Sequence, residues 1–201
     1  MKSKLKNHFI YNWTVYLAIA VLSVLIWNFA FKTLSEPKAN ERINIAIFCE
    51  AFDDKGFAEY AKSIVSNEKI LQVNAVWMQT INEYVINTNL YVTSQGEFDL
   101  IIIEKTLMPG NIGRQYFHPL DQEQMDSLLG PQTYYLEEGS AYGFLVPKKS
   151  ELYDFVEEKP ELVIFVSPET KNFMAINGKG SVDDKELINF LEKFLGERNA
   201  V

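Results

Sequence analysis

One cysteine and two histidines in 201 residues leave little material for the commonest catalytic and metal chemistries. A lone Cys49 forms no intrachain disulfide, and with His118 as the one histidine outside the amino-terminal tail a Cys/His zinc site cannot be assembled. No nucleophile elbow accompanies Cys49, His118 or any serine, so a serine or cysteine hydrolase has no support in the sequence. Gly178-Lys179-Gly180 is too short for a phosphate loop and reads as a polar turn. Cys49 falls in an apolar strand pattern and reads as a small buried hydrophobe. The chain is expected not to be an enzyme and to need no cofactor.

Charge is absent from a longer stretch. Phe9 to Phe31 contains no Lys, Arg, Asp or Glu over 23 residues. At about 1.5 Å per residue such a helix crosses the roughly 30 Å apolar core of a bilayer. Tyr11, Trp13 and Tyr16 lie near one end and Trp27 near the other, where amphipathic rings favour the interface. A buried core helix is seldom apolar on every face for so long. A cleaved secretory signal is the competing reading, with Thr33-Leu34-Ser35 as its cleavage site, but its apolar core normally spans about 7–15 residues. No cysteine stands nearby for a lipid-modified terminus. Lys2, Lys4 and Lys6 precede the run without an acid among them, which sets the tail on the cytoplasmic side. The expected order is a cytoplasmic tail 1–10, a transmembrane helix 11–32, a polar linker 33–42 around Pro37 and an extracytoplasmic domain 43–201. Ala18, Ala20 and Ser23 make no small-residue dimer motif.

Bases are scarce in that domain. Residues 1–42 hold six of the 19 Lys/Arg and two of the 27 Asp/Glu, leaving 13 bases against 25 acids, a balance of −12. Such a surface repels nucleic acid and anionic lipid, and no nucleic-acid partner is expected. The length suits one domain with a real core.

What is present is an alternation of short apolar strands and amphipathic helices. Ile43–Cys49, Ile70–Trp77 and Phe98–Ile103 read as strands. Phe57, Tyr60, Ala61, Ile64 and Val65 form one helical stripe, and Ile81, Tyr84, Val85, Thr88, Tyr91 and Val92 a second, ended by Gly96. Connections this short imply a parallel sheet with right-handed crossovers. Further on, Asp121 starts a short helix stopped by Gly130-Pro131. Tyr134–Leu136 and Ala141–Val146 pair through a tight turn at Glu138-Gly139-Ser140, and Leu162–Val166 is another strand, ended by Pro168. Ser181 caps a last helix that buries Leu187, Ile188, Leu191, Phe194 and Leu195. The fold class is therefore α/β, with a mostly parallel, mixed sheet flanked by helices.

Carboxylates are the dense polar resource. Glu50, Asp53 and Asp54 follow the first strand and Glu104 the third. Carboxyl ends of parallel strands line one edge, where ligands collect. Asp53-Asp54 reads more simply as a helix cap. The spacing fits no calcium loop, and no metal is expected. Tyr116, Tyr134, Tyr135 and Tyr142 cluster where the regular alternation breaks; such rings form stacking platforms and, more commonly, core edges.

Several local patterns together resemble one family. Gly96-Glu97-Phe98-Asp99-Leu100-Ile101 is similar to the G-x-x-P-D-V-I strand of extracellular solute-binding proteins of ABC importers, the sugar-binding group especially. Tyr116-Phe117-His118-Pro119-Leu120-Asp121 resembles their L-x-P-L-D segment, and Glu138 to Pro147 their D-G-K-x-Y-G-I-P hairpin. The likeness covers roughly residues 43–147. The proline before Asp99 is missing, and no room remains after Val146 for a second full lobe. The resemblance thus implies a single periplasmic-binding-protein-like lobe with half a cleft, accessory to an ABC permease, with a carbohydrate as solute. It implies Glu50 and Glu104 as hydrogen-bond acceptors and Tyr116 and Tyr142 as stacking faces. The alternative is a ligand-free interaction module of the same fold that contacts another membrane or envelope protein.

Overall fold

The computed structural model describes residues 2–35, 37, 41–65, 68, 70, 72–78, 82–93, 98–108, 110–166 and 184–196. Two compact units divide the chain near Pro37. The first is one helix, α1 (Lys2–Ser35), which runs from the tail through the apolar stretch into the expected linker. Its Asn12–Phe31 segment is long and apolar enough to cross a membrane, and none of it is buried.

The second unit is built on a six-stranded mixed sheet in the order β2-β1-β3-β6-β5-β4. β1 (Arg42–Phe48) lies between β2 (Gln72–Trp77) and β3 (Leu100–Glu104), parallel to both. β6 (Leu162–Val166) runs antiparallel beside β3, β5 (Ser140–Leu145) antiparallel beside β6, and β4 (Tyr134–Glu137) closes the edge as a hairpin with β5. The hairpin turns through Glu138 and Gly139, both at positive φ. That pairing of left-handed residues matches strand twist in a two-residue loop. Every residue of β3 is buried, as a central strand covered on both faces requires.

Alternation along the strands divides the core. Ile43, Ile45, Ile47, Leu100, Ile102, Leu162 and Ile164 face one layer with α2 (Asp54–Ile64), α5 (Gln122–Leu129) and α6 (Asp184–Leu195). Ala46, Phe48, Ile101, Ile103, Val163 and Phe165 face the other with α3 (Glu83–Thr93) and the short α4 (Ile112–Tyr116). Asp53 caps α2 through Gly56 N–H (3.0 Å), and Asp121 caps α5 through Gln124 N–H (3.2 Å). Both were expected as caps.

One helix is turned from its expected phase. α3 buries Ile86, Leu90 and Thr93, while Tyr84 is 79% exposed and Thr88, Tyr91 and Val92 face solvent. The segment is apolar around most of its circumference, so two stripes fit the pattern. The sheet takes the one with Ile86 and Leu90 and leaves the two tyrosines exposed. Ile81, Gly96, Pro168, Gly178-Lys179-Gly180 and Ser181 lie outside the described residues, as does most of the expected linker.

Candidate functional site at the carboxyl edge of the parallel strands

β1 and β3 are parallel neighbours in register, with Phe48 level with Ile103, so their carboxyl ends finish side by side. Glu104, the last residue of β3, is 8% exposed yet carries a carboxylate. Burying that charge requires donors, and three are present. Cys49 Sγ donates to its Oε2 at 3.5 Å, Glu50 N–H donates to the same oxygen at 3.3 Å, and Thr106 Oγ1 donates to Oε1. Burial first, and then the negative charge of Glu104, pushes the Cys49 thiol from near 9 up to about 12. The thiol is thus held protonated as a donor, the reverse of an activated nucleophile.

Two adjoining hollows open over this edge. One, of about 290 Å³, is lined by Cys49, Glu50, Glu104, Val156, Glu157 and Pro160 among others. The other, of about 420 Å³, lies against Glu50, Phe52, Asp53, Trp77, Asp154 and Phe155. Among the described residues no Lys, Arg or His lines either one. The Trp77 indole N–H donates to the carbonyl of Cys49 at 2.7 Å, which pins the ring across the end of β1 while leaving the residue 43% exposed. A short antiparallel bridge between Phe52 and Val156, with Asp53 N–H on Phe155 O at 3.0 Å, holds the facing wall.

Of the four residues singled out, Glu50 and Glu104 therefore share a hollow, with Glu50 at its exposed rim. Tyr116 and Tyr142 line neither hollow. Tyr142 is buried on the other sheet face over Gly113, and the Tyr116 hydroxyl donates to Asn87 Oδ1 at 3.4 Å beneath α3. Trp77 was not among the expected residues. Its signal is the one that located Glu50 and Glu104, since it too ends a parallel strand at this edge. Among the described residues no group of three His, Cys, Asp or Glu is arranged to hold a metal.

No family model matches the chain, and no curated protein matches it. A solved structure similar in part is a eukaryotic thiaminase-I bound to the thiamin analogue 3-deazathiamin, at 12% identity and a TM-score of 0.33. The match covers 53% of this chain and 31% of that one, and a likeness of this degree assigns neither fold family nor activity.

Proposed function

We propose that the chain is a membrane-tethered, extracytoplasmic, solute-binding-like protein accessory to an ABC-type importer, with one periplasmic-binding-protein-like lobe. The observation that supports this reading is the paired hollow over the carboxyl ends of the parallel strands, where open α/β sheets collect ligands. A carbohydrate suits the lining. Its hydroxyls donate to the Glu50 and Glu104 carboxylates, and Trp77 offers a ring face for an apolar sugar face. The same carboxylates, with no base among the described lining residues, disfavour an anionic solute.

The test uses the full chain in nanodiscs with a panel of mono- and oligosaccharides. A bound solute at 100 times its dissociation constant adds about 2.7 kcal/mol to the folded state, roughly 5–10 °C in melting temperature for a domain of this size. The shift should shrink with Glu50→Gln or Trp77→Ala. No shift across the panel removes the solute reading and leaves the interaction module, which the exposed Tyr84, Thr88 and Val92 face of α3 favours. Topology has its own check: protease outside intact cells should digest the domain, and a carboxyl-terminal reporter that faces the cytosol overturns the importer reading.

A further inference from the structure

β2 is an outer strand of the sheet and lacks the devices that normally keep such edges apart. Gln-Val-Asn-Ala-Val-Trp contains no Lys, no other charge, no Pro and no Gly. The opposite edge is blunted: β4 has a register break between Tyr135 and Leu136 and carries Glu137. In β2 the ladder direction follows from one bond. Met78 N–H donates to Ile47 O at 2.8 Å, and Ile47 is level with Trp77. By the period of two, Asn74 and Val76 turn their backbone groups to β1, while Val73, Ala75 and Trp77 turn theirs outward. No hydrogen bond from another described residue reaches those outward groups. Val76 is 40% exposed beside them.

We propose that this edge pairs with the same edge of a second copy, antiparallel across a two-fold axis at Ala75. The occupant follows from charge. The domain carries −12, so two copies repel over most of their surfaces and approach at least cost along an uncharged strand. The strand holds no charge with which to select a charged partner, whereas an isologous contact needs only self-complementarity. Centring on Ala75 brings all three outward residues into the ladder, forming about six hydrogen bonds where a centre at Asn74 forms about four. It also sets the partner subunit's Val73 across from Trp77, at the flank of the open hollow. Pairing six-residue strands alone falls short of the roughly 1,000 Å² that a stable soluble interface needs. Two copies confined by their anchors to one bilayer meet at high effective concentration, which supplies the remainder.

The register predicts a cross-link. Directly bonded antiparallel residues have Cα atoms about 5.5 Å apart, within disulfide range. In proteoliposomes of the full chain, Ala75→Cys should oxidise largely to a covalent dimer, while Lys55→Cys on the exposed face of α2 should not; native Cys49 is buried. Ala75→Pro removes only an outward N–H and leaves the β1–β2 ladder intact, and Val76→Lys places a charge on the edge. Each should abolish energy transfer between donor- and acceptor-labelled copies while circular dichroism stays unchanged. No Ala75→Cys cross-link in bilayers overturns the proposal. So does association that survives both Ala75→Pro and Val76→Lys, because the apolar helices would then be holding the copies together.

Discussion

At the end of the parallel half, the Glu104 carboxylate meets Cys49 and Thr106 beside an open hollow; in the antiparallel half, equivalent groups are locked between elements. Glu137 accepts from Gly113 N–H (2.7 Å), Arg114 N–H (3.0 Å) and the Tyr135 hydroxyl (2.9 Å), tying α4 to the hairpin. Asp126 accepts from the Tyr134 hydroxyl at 2.7 Å and from Gln132 N–H at 3.1 Å, tying α5 to the same hairpin. The acids of both halves are held by donors, and Glu104 is the most buried of the three. What differs is that Glu104 lines a hollow, whereas Glu137 and Asp126 line neither of the two over the strand edge. Connectivity decides this. Parallel strands need helical crossovers, which leave their carboxyl ends aligned and open, whereas a hairpin folds its polar ends onto its neighbours.

The largest effects should come from breaking each half at its tightest packing. Phe57 on α2 is fully buried, with Phe52, Phe155 and Phe194 rings 5.3–5.5 Å away. Phe57→Ala should cost about 3–5 kcal/mol and collapse the wall beside the hollow. In the other half, a Cβ on Gly113 would stand 2.6 Å from the Tyr142 ring, which is itself buried against the sheet. Gly113→Ala should cost about 1–3 kcal/mol from overpacking. Urea unfolding of both variants checks the ranking. A negligible loss in Gly113→Ala would mean that Tyr142 moves aside freely and that the antiparallel half is the softer one, whereas equal losses would mean that Tyr142 cannot yield at all.

Much of this division was legible in the residues. The apolar runs of β1, β3 and β6, the Glu138-Gly139 turn and the caps at Asp53 and Asp121 are local patterns whose cause lies within a few residues. Glu50 and Glu104 were also within reach, because parallel strands joined by short helices end at one edge. The insertion of β6 between β3 and β5 was not, since it depends on pairing partners far apart in the chain. That insertion also decides what the tyrosines do. Tyr142 stands on β5, two strands from Glu104 and on the face under α4, so a stacking role beside Glu104 has no geometry. The phase of α3 was hidden for another reason: a helix apolar on most sides carries no information about which side the sheet will take.

The two halves also differ in how they answer alkali. Cys49 keeps its proton to about 12 because of burial and Glu104, and Tyr135 to about 12 because of burial and Glu137; Tyr134 is raised by burial and Asp126. All three are raised in the folded chain, so the unfolded chain releases its protons first. Their stabilisation is complete below the unfolded values, near 9 for the cysteine and 10 for the tyrosines, and is lost as pH climbs to about 12. Thermal unfolding scanned across this window should show stability falling from about pH 9. Cys49→Ala should delay the onset to about pH 10, while Tyr135→Phe should leave it at 9. An unchanged onset in Cys49→Ala would show that burial and Glu104 do not raise the thiol as described.

The smallest expected effects sharpen the comparison furthest, because the two helix caps are matched in chemistry and differ in place. Asp121→Ala and Asp53→Ala each release one orphan N–H at a helix start, and each should cost about 1 kcal/mol, or about 2–4 °C. Asp121 borders neither of the two hollows over the strand edge, whereas Asp53 lines the one that holds Trp77. Asn caps a helix about as well as Asp, so Asp53→Asn keeps the stability and removes only the charge. With a solute from the panel present, its melting shift in Asp53→Asn should fall below that of the parent chain, while Asp121→Asn should match it. Equal shifts in both would confine Asp53 to capping and move the recognition groups to Glu50, Glu104 and Trp77.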